Sequence, residues 1–259
     1  MKKISTLLGA LAAAAVISAP AFAADMRMPM KAPPMVAPVF SWAGLYIGGN
    51  AGGVFSRADF TALANPVGFP ASGPAVNVAG TNTFKHSGFT GGGQIGYNWQ
   101  SSVFVYGLEA DIQYTDAKGR GVTPIIGFPG STFTQSYKSD WLATFRGRLG
   151  FASGPVLFYG TAGLAVADVR YRDSVFFAAS GTNNTATNSQ TRAGWTAGGG
   201  IEWAFAPKWS VKFEGLYVDL GKTNYTSANS NPVLFPVSTI AHGHRLTEGI
   251  GRAGINYHF

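Results

Sequence analysis

Between Ser87 and Gln100 the side chains alternate with period two. Phe89, Gly91, Gly93, Ile95, Tyr97 and Trp99 share one parity; Thr90, Gly92, Gln94, Gly96 and Asn98 share the other. Successive residues of a strand point to opposite faces. The segment therefore reads as a strand with one apolar face and one small, polar face. The pattern recurs. Phe104, Tyr106, Leu108, Ala110, Ile112 and Tyr114 stand against Gly107, Glu109, Asp111 and Gln113. Trp141, Ala143, Phe145, Leu149 and Phe151 stand against Asp140, Thr144, Arg146 and Arg148. Trp195, Ala197, Ile201, Trp203 and Phe205 oppose Thr196, Glu202 and Ala204, and Val211, Phe213 and Tyr217 oppose Lys212 and Glu214. At the end of the chain Ala253, Ile255, Tyr257 and Phe259 oppose Arg252, Asn256 and His258. A first strand, about Trp42 to Phe55, sets Leu45 and Ile47 against Tyr46 and Asn50. A fifth, about Val156 to Ala167, is apolar on both parities, so its faces stay unassigned.

The connections alternate in length. Gln100 to Ser102, Ala152 to Pro155 and Ala206 to Lys208 are short. Ser56 to Lys85, Thr115 to Ser139, Asp168 to Arg192 and Gly221 to Gly243 are long and rich in Asn, Thr, Ser, Gly and Pro. Nothing reads as a helix, and no apolar run is long enough for a membrane helix of roughly 20 residues. Amphipathic strands joined by alternating short turns and long loops are the layout of a bacterial outer-membrane barrel. The fold class expected is all-β: an eight-stranded antiparallel transmembrane β-barrel, up-and-down, with short periplasmic turns and long extracellular loops. A repeat at an offset of 106 residues supports it, since Gly88-Phe89-Thr90-Gly91-Gly92-Gly93 is echoed by Gly194-Trp195-Thr196-Ala197-Gly198-Gly199. These glycine runs lack the strand–loop–helix context and lysine of a phosphate loop.

The charges decide which face meets lipid. Glu109, Asp111, Arg146, Arg148, Glu202, Lys212, Glu214 and Arg252 all fall on the small-polar parity, four acids and four bases near the short-turn ends. A soluble eight-stranded barrel of the lipocalin kind would turn these outward. A basic residue near the middle of a lipid face costs roughly 2–4 kcal/mol, so the set is expected inside as a luminal charge network. Glu109 and Asp111 would pair with Arg146 and Arg148 on the next strand. Eight strands enclose only enough room for side chains, which favours a polar plug over an ion pathway. Aromatic residues bunch at strand ends (Phe40, Trp42, Tyr97, Trp99, Phe104, Phe151, Phe158, Trp203, Phe205, Trp209, Tyr257 and Phe259), like an interfacial girdle.

Composition agrees. Of 259 residues 46% are hydrophobic and 14% aromatic, only 12% are charged, and 35 are glycine. That charge is about half of what a soluble domain carries. The absence of cysteine removes disulfides, thiolate metal sites and cysteine nucleophiles. The net charge of +7 is spread thinly rather than clustered as nucleic-acid binders cluster it. Residues 1–23 read as a cleaved signal peptide: Lys2 and Lys3, the apolar run Ile4 to Ala19, then Ala21-Phe22-Ala23 as the cleavage site defined by Ala21 and Ala23. Loss of the two lysines lowers the charge from +7 to +5. Residues 24–39 read as a Pro/Met-rich periplasmic linker with Met26, Met28, Met30 and Met35, an unpacked tail rather than a Cu(I) site. Residues 40–259 are expected to form the barrel.

The ends of the chain carry a likeness. Phe40-Ser41-Trp42-Ala43-Gly44-Leu45-Tyr46-Ile47-Gly48-Gly49-Asn50 and Arg252-Ala253-Gly254-Ile255-Asn256-Tyr257-His258-Phe259 resemble the first and last strands of small alphaproteobacterial outer-membrane proteins. This is the family around rhizobial RopB and the Brucella 25- and 31-kDa surface proteins, related to opacity-type and OmpA-like barrels. Gly92 to Trp99 and Glu214 to Gly221 fit more weakly. The resemblance implies an eight-stranded barrel with a structural or surface role. It also implies that Ile255, Tyr257 and Phe259 are a C-terminal signal for the outer-membrane assembly machinery.

The function expected is a structural surface barrel of the cell outer membrane. It supports envelope integrity and presents loops to lipopolysaccharide, a host or a phage. Lys118, Arg120, Arg170, Arg172 and Arg192 lie in or beside the long loops, within reach of anionic lipopolysaccharide phosphates. The alternative is a narrow porin-like channel for ions or small solutes. A membrane-embedded lipid A or peptide hydrolase would draw on His242, His244, Glu248 and His86, but no serine is tied to them by spacing. No enzymatic activity, cofactor, metal or nucleic-acid partner is expected.

Overall fold

The computed structural model describes residues 40–228 and 237–259. The signal-cleavage residues Ala21 and Ala23 and the Met-rich linker lie outside the described residues. Eight strands follow one another: β1 (Gly44–Ala64), β2 (Asn82–Ser101), β3 (Phe104–Pro124), β4 (Thr132–Ser153), β5 (Val156–Phe177), β6 (Thr182–Ala206), β7 (Trp209–Ala228) and β8 (Thr239–His258). Each pairs antiparallel with the next, and β1 closes onto β8 through registers such as Gly52↔Arg252 and Asn50↔Gly254. The result is a closed up-and-down barrel with no sheet edge along its closing seam. Its short connections are two-residue turns, at Gly154 with a φ of 57° that glycine takes freely.

The outward parity carries the apolar residues. In β2 Phe89, Ile95, Tyr97 and Trp99 are exposed, and in β3 Phe104, Tyr106, Leu108, Ile112 and Tyr114. In β5 the outward residues are Phe158, Gly160, Ala162 and Leu164, and the inward ones Leu157, Tyr159, Thr161 and Ala165. Both faces of that strand are apolar because its inner side packs on two apolar groups, Leu157 and Tyr159 with Trp42 near the turn and Ala165 and Ala167 higher up, which is why alternation does not orient it. Aromatic pairs frame the belt: Tyr97–Trp99 and Trp209–Tyr257 at the turn end, with ring centroids 4.8 and 5.1 Å apart, and Trp195–Tyr217 at the other, 5.4 Å apart. Beyond this second ring the outward positions turn charged: Arg57, Asp59, Asp116, Lys118, Lys138, Asp140, Asp168, Arg170 and Arg245. An apolar band about 25 Å tall takes roughly ten residues of a tilted strand. Strands of 20–25 residues therefore outrun it by about as much again.

Three features depart from the sequence expectation. The long connections are not structureless. The ladder continues up them to Ala64↔Ile240, Phe60↔Asn82, Pro124↔Thr132 and Phe177↔Thr182. Above the belt the outward face turns polar, and β6 is polar on both faces, so the apolar-outward alternation disappears while the backbone pairing does not. The connection after β1 also contains a helix, α1 (Gly73–Ala79), opened by Pro74. It is held because Val76 and Ala79 pack with Phe69, Phe133, Val175 and Ile240 as a lid over the loop-end mouth. Third, Trp42 does not join the girdle. It is fully buried in the turn-end mouth with Val105, Leu157 and Tyr159, edge-on to Phe40 and His258. Gly44, at a φ of 126°, lets the chain turn into the barrel there.

The interior is layered. The Trp42 plug lies at the turn end and charged residues lie above it. Above them sits an apolar layer with Leu142, Leu216, Val218, Leu246 and Ile250. One seam is incomplete: among the described residues, β6 pairs with β7 only from Trp195↔Asp219 toward the turn end. Above that level the two strands part, and Arg192 bridges them by donating to the Lys222 carbonyl.

Candidate functional site

All eight charged residues of the small-polar parity project into the lumen, each no more than 6% exposed. Arg146 on β4 occupies the middle. Its Nη2 contacts Glu109 and lies 2.8 Å from Asp111, its Nη1 is 3.0 Å from Glu214, and its Nε donates to Thr144 Oγ1 at 3.0 Å. Arg252 on β8 closes the far side, 2.6 Å from Glu214 and 3.1 Å from Asp111, and donates to Gln113 Oε1 at 3.0 Å. Lys212 on β7 donates to both oxygens of Glu109, at 3.0 and 2.9 Å. Arg148 pairs with Glu202, and its guanidinium lies 3.8 Å from the ring centre of Tyr159. Four cations and four anions thus pair with one another out of reach of solvent, with Arg148 Nε left without a partner. Buried charges persist only under such pairing.

Adjacency along the wall does not set every partner. Register places Glu109 beside Arg146 and Glu214 beside Arg252, and these pairs meet. Register also places Lys212 beside Glu202, yet Lys212 crosses the lumen to Glu109. Arg148 lies 3.9 Å from Glu109 and spends its closer contact on Glu202. In so narrow a barrel the opposite wall is as near as the neighbouring strand.

The neutral groups that complete the network are missing from the sequence expectation. Tyr46 donates to Glu109 at 2.7 Å and accepts from Arg148 at 3.1 Å. Tyr159 donates to Glu214 at 3.0 Å. Ser210 and Asn256 donate to Glu202 at 2.6 and 2.7 Å. Inward parity is the signal that could have identified them. Gly96 is small for a related reason: a Cβ there would strike the Tyr46 ring. At the end of the chain, Ile255, Tyr257 and Phe259 share the outward face, and the Phe259 amide donates to the Leu45 carbonyl at 3.0 Å.

The four candidates His86, His242, His244 and Glu248 do not gather at one point, and a hydroxyl that spacing does not tie to them, Ser227 Oγ, lies 2.9 Å from His242 Nε2. His86 lies on β2 opposite Ser56. Glu248 faces the lumen with both carboxylate oxygens lacking a hydrogen-bond partner. His242 and His244 instead meet Asp173 of β5, 3.2 and 2.9 Å away, a residue the sequence pattern does not single out. These groups lie above the apolar belt. Burial by itself raises the Asp173 carboxyl, but the contacts with His242 and His244 outweigh it and hold it well below the ordinary carboxylate range.

The family model described as outer membrane protein beta-barrel domain matches residues 9–238. The 31 kDa outer-membrane immunogenic protein of Brucella melitensis is 35% identical over 253 residues, covering 95% of this chain and 96% of that one. The 22 kDa outer membrane protein of Rhizobium leguminosarum is 31% identical over 194 residues, covering 73% of this chain and 70% of its own. The 25 kDa outer-membrane immunogenic protein of Brucella abortus is 29% identical over 264 aligned positions, 100% of both chains.

Proposed function

This chain belongs to the outer-membrane protein beta-barrel family and resides in the outer membrane, and from that premise we propose that it is a non-conducting, non-enzymatic structural surface protein. The observation that carries the reading is the lumen. At the level of the apolar belt it is filled by the paired network around Arg146 and Arg252. Trp42 stands below the network, and the apolar layer and helix lid stand above it. Such a barrel offers hydrated ions no path and serves through its wall and its outer surface.

That surface suits anionic lipopolysaccharide. Along β3, β4 and β5, Lys118, Lys138 and Arg170 stand in one row, and Arg120 and Arg172 flank Ser136 in the next. All five are exposed just above the belt, where Asp116, Asp140 and Asp168 partly offset them. Arg120 and Arg172 line a groove of about 350 Å³ with Thr134 and Ser136. Guanidinium pairs beside hydroxyls are the groups that hold phosphates. Folding in the outer membrane further implies recognition by the assembly machinery through Ile255, Tyr257 and Phe259, and loops open to host or phage ligands.

A strain lacking the protein is expected to take up more of a hydrophobic fluorescent probe across its outer membrane. Wild-type protein should restore the barrier, and an Arg120→Ala/Arg172→Ala variant should restore it less completely. If the strain instead keeps its barrier and takes up small hydrophilic solutes more slowly, the protein is a channel.

A further inference from the structure

A second cluster lies nearer the extracellular end, separate from the charge network. His242 and His244 occupy alternate positions of β8, so both rings enter the lumen on one face. Asp173 reaches them from β5. Their donor atoms lie within 4.8 Å of one another. His242 Nδ1 is 3.2 Å and His244 Nε2 2.9 Å from the same oxygen, Asp173 Oδ2. The Tyr225 hydroxyl, from β7, is 2.5 Å from that oxygen and 3.0 Å from His244 Nε2. The side chains of Asp173, His242 and His244 are at most 1% exposed.

Hydrogen bonding alone does not account for this arrangement. His242 Nδ1 faces the carboxylate at 3.2 Å but makes no aligned hydrogen bond, and Asp173 Oδ1 and His244 Nδ1 are buried without partners. The other nitrogen of His242, Nε2, meets Ser227 Oγ at 2.9 Å. That contact orients the ring and aims Nδ1 at the carboxylate, as outer-shell hydrogen bonds orient metal-binding imidazoles. Phe60 and Tyr171 pack on His244, each with ring centroids 4.5 Å away, and Tyr225 stacks on His242 at 5.1 Å. The site is therefore dry, rigid and lined by nitrogen and oxygen donors.

Two imidazoles and one carboxylate suit a divalent first-row transition metal. Bonds of about 2.0–2.1 Å in tetrahedral geometry set ligands roughly 3.3 Å apart; the two histidine–carboxylate spacings of 3.2 and 2.9 Å lie within a few tenths of an ångström of that, and the 2.5 Å Tyr225–Asp173 contact would have to open to admit an ion. We infer that Asp173, His242 and His244 bind a zinc-class divalent ion in the extracellular half of the barrel, with the Tyr225 hydroxyl as the fourth ligand. The β6–β7 backbone ladder stops at Trp195↔Asp219, below the level of Tyr225. The ion would tie β5, β7 and β8 together across a part of the wall where the backbone ladder is interrupted.

The test uses untagged, full-length mature barrel refolded in detergent and titrated with Zn²⁺ and with Co²⁺ as a spectroscopic probe. The expected result is one Zn²⁺ per barrel, a higher unfolding temperature with metal, and the intense visible bands of tetrahedral Co²⁺, bleached by Zn²⁺. Asp173→Asn and His242→Ala should weaken binding by at least about tenfold, whereas His258→Ala, at the periplasmic end, should leave it unchanged. Absence of the tetrahedral Co²⁺ bands in the wild-type barrel overturns the inference, whether or not the variants fold. Stoichiometric binding that persists in a folded Asp173→Asn/His242→Ala variant overturns it as well.

Discussion

Replacing Arg146 with methionine is expected to destabilise the folded barrel by about 3–5 kcal/mol, the range for a broken buried ion pair. The methionine fills similar space, so the loss is electrostatic rather than a cavity effect. Glu109, Asp111 and Glu214 would each lose a guanidinium contact, and the lumen would keep one uncompensated negative charge. Adding Glu109→Gln restores neutrality. The double variant should be more stable than the sum of the two single losses predicts, by about 1 kcal/mol or more, because groups in one network couple. Urea unfolding of the refolded barrel, followed by tryptophan fluorescence, measures all three. Simple additivity would mean that the lumen is wet enough to screen these charges.

The second large effect concerns the wall. Phe213 and Leu63 both face outward, with 63% and 65% of their surface exposed. Phe213 sits midway along the belt segment of β7, between Trp209 and Tyr217. Leu63 sits near the end of β1, beyond Arg57 and Asp59. Phe213→Arg should cost roughly 2–4 kcal/mol in a lipid bilayer, as a basic side chain at the midplane does. Leu63→Arg should fall within about 0.5 kcal/mol of the wild type, as ordinary surface substitutions do. In water the two substitutions would be nearly equivalent, so the difference reports where lipid begins. Equal costs in bilayers would remove the lower half of the barrel from the membrane.

How much of this was legible in the sequence follows from which forces act at each height. Inside the belt, lipid outside and ions inside enforce a two-residue alternation, so strand faces and the eight inward charges can be read from parity alone. The Trp42 plug packed by Leu157 and the layer packed by Ala165 and Ala167 are apolar within as well as without, and there parity loses its meaning. Above the belt, water bathes the outer face, and on β6 Thr, Ser and Asn occupy both parities. The stretch of β6 from Thr182 to Ala193 therefore leaves no hydrophobic trace, although it pairs with β5 throughout. Trp42 reads as a girdle residue because composition cannot distinguish an aromatic beside the mouth from one inside it.

The histidine cluster shows the same limit. His242 and His244 stand out as a pair, and Glu248 is the acid nearest in sequence. Four residues along a strand is about 13 Å, which takes Glu248 toward the membrane and away from His244. Asp173 is three strands away, but the curvature of the barrel brings it to the same height across the lumen. Contacts across a closed lumen depend on strand stagger, and one sequence does not encode stagger in any local pattern.

A membrane-spanning wall around a lumen sealed by its own side chains is the core of the proposal. Ionic current through purified, folded protein inserted in planar lipid bilayers tests it most directly. Insertion should be confirmed by the shift in gel mobility between unheated and boiled samples. A sealed lumen predicts a flat baseline over the full range of applied voltage. Reproducible current steps that change with Arg146→Met or Glu109→Gln would contradict it, because those residues would then line a conducting path.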